Sequence, residues 1–332
     1  MSEKIAPKVI IFSLFEPTND MPGEQKLFTD RLGFTERYQI PGCFGDLFLN
    51  PDGVGAVVLG IGTTKPAISL MALGYDERFD LGSTYFLIAG IAGVDPQVGS
   101  LASVAWGRFV VDGNLAFEID VREMPEGWPT GIFPLGANAP YEMPYRGDDG
   151  VFLKDEVIEL NNGLKNWAYE LTRGVPLQDT EEMRVNREQY TEHPVAQKPA
   201  EVFLGDILAC ERFWHGRIYT EWAQRWVKLW TEDEGTFAMT NTDDMGVLRG
   251  LKALDAVGKA DFSRAMLIRS ASNFCMQPPG MTAIENLASE ESEEDRYPAY
   301  LPSMENMYRV GSRVVSELVD NWNQWESEVP GF

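Results

Sequence analysis

Apolar positions along this chain fall into short continuous runs and into runs with helical spacing, and the two alternate. Residues 8–14, "KVIIFSL", and 85–94, "YFLIAGIAGV", are β-branched and aromatic stretches that predict buried strands. "DLFLNPDGVGAVVLG" adds two further strands around a Pro-Asp-Gly turn. After Gly60-Ile61-Gly62 the period changes. Thr63 and Thr64 can cap a helix with Pro66 in its first turn and Ile68, Leu70, Met71 and Leu73 along it. Strand, glycine turn, helix and strand describe a right-handed βαβ unit, which puts parallel strands at the heart of the fold. The run from Tyr85 is expected to end in a second glycine turn, where Gly90 and Gly93 leave backbone amides bare enough to cradle an oxygen-rich ligand. If the two strands are adjacent, both turns lie on one carboxyl edge of the sheet and frame a pocket.

Further along, 103–118 reads as strand, 123–149 is rich in proline and glycine without periodicity, and 161–173 and 180–190 are helical. "EVFLGD" predicts a short strand before a helix over 216–230, and "GTFAMT" a strand before a helix over 243–257. "RAMLIRSASN" predicts the last strand. After the acidic loop "SEESEEDR", a core-facing helix carries Met304, Met307, Tyr308, Val315 and Leu318. The stripe of Trp222, Trp226 and Trp230 suits a core or an oligomer interface.

Composition narrows the functions. Of 332 residues, 44% are hydrophobic, sufficient for a full core. With 51 acidic and 28 basic residues the net charge is −23, which repels a phosphate backbone and argues against nucleic acid as a partner. The three cysteines, Cys43, Cys210 and Cys275, share no CxxC spacing, and there are only two histidines, His193 and His215. Neither a disulfide framework nor a metal site is expected, and no cofactor is. No apolar run is long enough to span a membrane, and the first has no cleavage signature after it.

Three stretches carry candidate chemistry. Gly60-x-Gly62 opens a helix as a dinucleotide fingerprint does, but Lys65 stands where the third glycine belongs, so a tight strand-to-helix turn is the simpler reading. "FAMTNTDDMG" delivers Asp243 and Asp244 to a helix start, where acids serve equally as caps. "LIRSASN" ends a strand in Ser270, Ser272 and Asn273.

Together, "GIG" at 60–62, "YFLIAGIAGVDP" at 85–96, "FWHG" at 213–216 and "RSASNF" at 269–274 resemble the purine nucleoside permease family, with "AWGRFVVDGNLAFEID" and "MQPPG" specific to that branch. The resemblance implies the nucleoside phosphorylase fold: an α/β single domain over 1–332, a central mixed sheet flanked by helices, and an excursion at about 123–150. It implies cleavage of the N-glycosidic bond of purine nucleosides, leaning to inosine and guanosine. Nucleoside binding that serves uptake is the alternative. On this resemblance Asp243 holds the ribose 2′ and 3′ hydroxyls, with Asp244 as fallback, and Asn273 contacts purine N7. Phe213, Trp214 and His215 line base or sugar. Gly62 and Gly90, Ile91, Ala92 and Gly93 form the ligand-gripping turns. Glu16 is the candidate water-activating carboxylate. Phosphate is a candidate co-substrate, although Ile88 and Ile91 replace the Arg and Ser of hexameric phosphorylases. A homo-oligomer of unspecified order is also implied.

Overall fold

The computed structural model of the chain describes residues 4–16, 22–144, 155–290 and 297–331. The strands are β1 (Val9–Ser13), β2 (Glu36–Tyr38), β3 (Leu47–Leu49), β4 (Val54–Val58), β5 (Tyr85–Val94), β6 (Val104–Trp106) and β7 (Phe109–Asp112). Then follow β8 (Ala116–Glu118), β9 (Ile132–Pro134), β10 (Val157–Glu159), β11 (Val202–Leu204), β12 (Asp206–Ala209), β13 (Phe237–Asn241) and β14 (Ala265–Phe274). The helices are α1 (Lys26–Arg31), α2 (Thr64–Tyr75), α3 (Asn162–Thr172), α4 (Glu181–Arg187), α5 (Arg217–Trp230), α6 (Asp244–Ala256), α7 (Ala283–Glu290), α8 (Tyr300–Asp320) and α9 (Trp322–Trp325).

All strands except the β8–β9 hairpin join one mixed sheet running β10-β7-β12-β13-β5-β1-β4-β3-β2, with β14 paired to both β5 and β6, and β11 to β6. Parallel pairs form its centre, β1 with β4 and β5, and β5 with β14. Their apolar runs are buried on both faces, as parallel strands covered by helices must be. One core cluster lies against α2 and α6, another against α3 and α8, and the stripe of Trp222, Trp226 and Trp230 sits in a third, 0–3% exposed, so it is core.

Two expectations about β5 fail, and both failures bear on the site. No turn begins at Gly90: β5 stays paired with β14 through Gly90 and, after a register shift, through Gly93 to Val94. Nor are β4 and β5 neighbours, because β1 lies between them. The chain turns only after Val94. On one side β5 is paired throughout with β14. On the other, β1 covers Tyr85 to Ile88, and antiparallel β13 covers Gly93 and Val94. The edge of β5 is therefore open between them, at Gly90 and Ile91. A gap of this kind, where two strands diverge from a shared neighbour, exposes ladder groups that side chains can take.

Other departures are local. "EVFLGDILA" forms two strands, broken at Gly205, and α1 and β12 were not anticipated. Thr63 stands at the N-cap of α2 without a capping hydrogen bond. The excursion contains β8's partner β9, and its residues 145–150 lie outside the described residues, as do 291–296 of the acidic loop.

Candidate functional site

The gap beside Ile91 is filled by Glu24. The chain leaves β1 at Ser13 and returns at Gly23, and Glu24 points back beneath it. Its Oε2 accepts the amides of Leu14 (2.8 Å) and Phe15 (3.1 Å), and its Oε1 accepts the Ile91 amide at 2.8 Å, the N–H left over on the open edge of β5. Only 3% exposed, the carboxyl is pushed up by burial to about 7. The nearby Arg269 guanidinium opposes this shift and Asp243 adds to it.

Arg269, in the middle of apolar β14, is fully buried. Its guanidinium crosses Gly90, with which it is paired in register, and donates to the Ile91 carbonyl at 3.1 Å and to both oxygens of Asp244. Its Nη1 lies 3.6 Å from Glu24 Oε1. A Cβ on Gly90 would sit 2.0 Å from that Nη1, so the glycine serves the guanidinium and not a ligand. Asp244, 0% exposed, also accepts from Asn241 Nδ2 at 2.6 Å and faces the core. It does not share the position of Asp243.

Asp243 sits at the N-cap of α6, where it makes no capping bond. Asn241 performs that function, its Oδ1 accepting the amides of both Asp243 and Asp244. Asp243 Oδ1 is thus free to take the Gly62 amide at 2.7 Å and the Thr242 hydroxyl at 2.7 Å. Burial raises its carboxyl above the ordinary range, against the pull of Arg269 and these two bonds. Gly60 and Gly62 have φ of 94° and 87°, which makes glycine necessary in this tight turn. The next amide and hydroxyl, those of Thr63, go to Glu211. These two amides are therefore already bonded to carboxylates.

Asn273 lies at a register shift in β14, directly opposite Gly93. It lines, with Glu24 and Asp243, one cavity of about 1350 Å³, larger than the ~300–1,000 Å³ common for small-molecule sites. Glu24, Ile91, Ala92, Gly93, Asp243 and Asn273 form one part of its wall, joined by Phe213 and Trp214. Phe213 is 62% exposed, whereas Trp214 packs between Tyr219, Trp222 and Phe237. Gln178, Thr180 and the start of α8 also line it.

Several expected residues lie elsewhere. Glu16 is absent from the cavity wall; its oxygens accept the amides of Gly23 (3.1 Å) and Gln25 (3.0 Å), beside Glu24. His215 is also outside it, its Nε2 2.9 Å from Asn286 Oδ1. Gly62, Gly90 and Asp244 support the wall from behind. Glu24 and Arg269 were missed by the sequence reading.

The fold and the sequence can now be set beside known proteins. The purine nucleoside permease (NUP) family model matches residues 6–330. The chain belongs to the purine nucleoside permease family. Among its relatives, a probable purine nucleoside permease of Schizosaccharomyces pombe is 29% identical over 271 residues, 80% of this chain and 76% of that protein. A purine nucleoside permease of Candida albicans is 25% identical over 325 residues, 96% of this chain and 76% of that protein. The 5′-methylthioadenosine/S-adenosylhomocysteine nucleosidase of Neisseria meningitidis, solved with methylthio-immucillin-A, shares the fold with a TM-score of 0.54 at 13% identity, over 95% of this chain and all 100% of that one. Futalosine hydrolase of Helicobacter pylori superposes with a TM-score of 0.50 at 12% identity, over 92% and 97%. The purine nucleoside permease family thus has, in this member, a nucleoside phosphorylase and nucleosidase fold. Among the described residues, no helix is long and apolar enough to cross a membrane.

Proposed function

We propose that this protein hydrolyses the N-glycosidic bond of purine nucleosides. The observation that carries the reading is the convergence on one cavity of Glu24 from the loop after β1, Asp243 from the end of β13 and Asn273 from the end of β14. Cleavage of such a bond builds positive charge on the ribose and negative charge on the departing base. Asp243 binds the ribose hydroxyls through its remaining acceptor sites. Phe213 covers the base. Asn273 donates an N–H to N7 as the bonding pair of C1′–N9 passes to the base. Water adds to C1′ and gives its proton to Glu24, which suits this step because its carboxyl titrates close to neutral pH. That proton then leaves with the base, so ribose and free purine are the products.

Water is preferred to phosphate as the acceptor on electrostatic grounds. The amides of Gly62 and Thr63 are bonded to Asp243 and Glu211, and the Arg269 charge is met by Asp244 and Glu24. Lys65 lies over the Phe44 ring, 5.4 Å from its centre. Arg212 lines the cavity but pairs with Glu118 at 3.4 Å, so an added phosphate would meet the carboxylates of Glu24 and Asp243 with one shared cation to offset them. Incubation with inosine, with and without phosphate, tests this: hypoxanthine and ribose are expected in both. Ribose 1-phosphate, formed only when phosphate is present, would overturn the choice of acceptor.

The names of the relatives favour a second reading, a nucleoside-binding protein that serves uptake. Saturable binding of inosine with no release of base would support it.

A further inference from the structure

Asp243 is tied to the rest of the molecule through a turn that a second carboxylate holds. Of the two bonds to its Oδ1, the Thr242 hydroxyl comes from its own neighbour in the chain. The Gly62 amide, 2.7 Å away, is the one that fixes the carboxyl against a different element. Gly60 and Gly62, both at positive φ, give this turn a pliable backbone. Among the described residues, side chains bond its amides at two points, Asp243 at Gly62 and Glu211 at Thr63. Glu211 Oε1 accepts the Thr63 hydroxyl and the Thr63 amide, and these bonds hold its carboxyl below the ordinary range.

Glu211 is itself held from the segment that leaves β7. Asn114 Oδ1 accepts the Glu211 amide at 2.8 Å, and the Asn114 amide donates to Asp112 Oδ1 at 2.7 Å. The other oxygen of Asp112 accepts from Arg249 at 2.7 Å, and the same guanidinium nitrogen donates to the Asp155 carbonyl at 3.0 Å. Arg249 belongs to α6, the helix that Asp243 opens. The run "VVDGN" at 110–114 is absent from the cavity wall, yet it reaches Asp243 by two routes, through α6 and through the Gly62 turn.

We propose that Glu211 is a positioning residue for the sugar carboxylate, held in place by Asn114, and that the segment after β7 thereby keeps Asp243 set for its ligand. This rests on the placement of ribose against Asp243 argued above. With both bonds on Oδ1, no donor among the described residues meets Oδ2, so that oxygen keeps its acceptor sites. A carboxyl whose direction is fixed before the ligand arrives loses less freedom on binding. Removal of the Glu211 carboxylate leaves the Thr63 amide and hydroxyl without their acceptor, the turn relaxes, and the Gly62 amide no longer holds Asp243. The loss falls on the hydroxyls of the sugar and spares the base.

Initial rates with inosine and with 2′,3′-dideoxyinosine, which lacks both hydroxyls, separate this role from a general structural one. Each variant is compared with the unaltered protein on the same nucleoside, so the different lability of the two glycosidic bonds cancels. Glu211→Ala is expected to lower kcat/KM for inosine by about fivefold or more, mainly through KM, and to leave dideoxyinosine unchanged within about twofold. Glu211→Gln keeps an acceptor oxygen and should retain most of the inosine rate. Asn114→Ala should show the same pattern at smaller size, about threefold, and it decides the matter if Glu211→Ala does not fold. An equal fall on both nucleosides, no fall on inosine, or no recovery in Glu211→Gln overturns the proposal. Asp243→Ala keeps the two readings apart. If it spares inosine, the placement of the sugar fails as well; if it impairs inosine alone while Glu211→Ala changes nothing, only this proposal fails. If neither nucleoside releases its base, calorimetric titration of the same proteins with the same two nucleosides reads the same ratios. Absence of any binding would overturn this proposal and the proposed function together.

Discussion

A single arginine explains much of the site. Arg269 stands in the apolar run "MLIRSA", where a charge can be buried only with partners, and the structure supplies Asp244 on one side and Glu24 on the other. This was the sequence signal for Glu24: a buried cation in a central strand requires acids nearby. What the chain order could not convey was which acids, because Glu24 lies in a loop some two hundred and forty residues away with no motif around it. Glu16, nearer the strand end, was the more obvious choice but serves the loop backbone. Asn273 and Asp243 were legible because each ends a strand recognisable by its apolar run. Asn273→Ala is expected to lower turnover by about 10²–10³, as loss of one preorganised donor does, without loss of folding by circular dichroism. Asp244→Asn weakens the Arg269 pair and leaves a buried charge less well met, so it is expected to destabilise the protein by about 3 kcal/mol in urea titration. An unchanged midpoint would mean that the pair is not what holds Arg269.

At the scale of elements, close approach is achieved through glycines. Helices α2 and α6 pack where Gly246 faces the backbone of residue 63, and a Cβ there would lie 2.1 Å from the Thr63 carbonyl oxygen. Backbone cannot yield as a side-chain tip can, so Gly246→Ala must push α6 away from the turn. The expected cost is about 1–3 kcal/mol of stability, together with weaker binding of inosine, because the same helix carries Asp243 against Gly62. Thermal unfolding and an inosine titration would check both effects. The helical and strand periods identified most long elements, since β1, β5, α5, β13, β14 and α8 each bury a continuous run or stripe. Two glycines in β5 were read as a turn, although each answers to a side chain of β14 that passes over it. Such a cause lies in strand pairing, which local sequence does not express.

For the molecule as a whole, the net charge of −23 is the dominant long-range property. Mutual repulsion opposes compaction, and salt shortens its range from about 30 Å at 0.01 M to about 8 Å at 0.15 M. The melting temperature is therefore expected to rise over that interval in sodium chloride; a fall would show that specific ion pairs outweigh the general repulsion. The same field makes a neutral nucleoside a better ligand for this cavity than an anion, in accord with water as the acceptor. The fold class was legible through resemblance more than through pattern, because the branching at β5, shared among β1, β13 and β14, has no linear signature. That branching opens the gap in which Glu24 resides. Release of hypoxanthine from inosine in phosphate-free buffer across pH, by the unaltered protein and by Glu24→Gln, tests the proposed site most directly. A base must be ionised to act, and burial has raised Glu24 to about 7, so release should climb as pH rises towards that value, level off above it, and be lost in the variant. Release by Glu24→Gln at the unaltered rate, or no release by the unaltered protein at any pH, would contradict it.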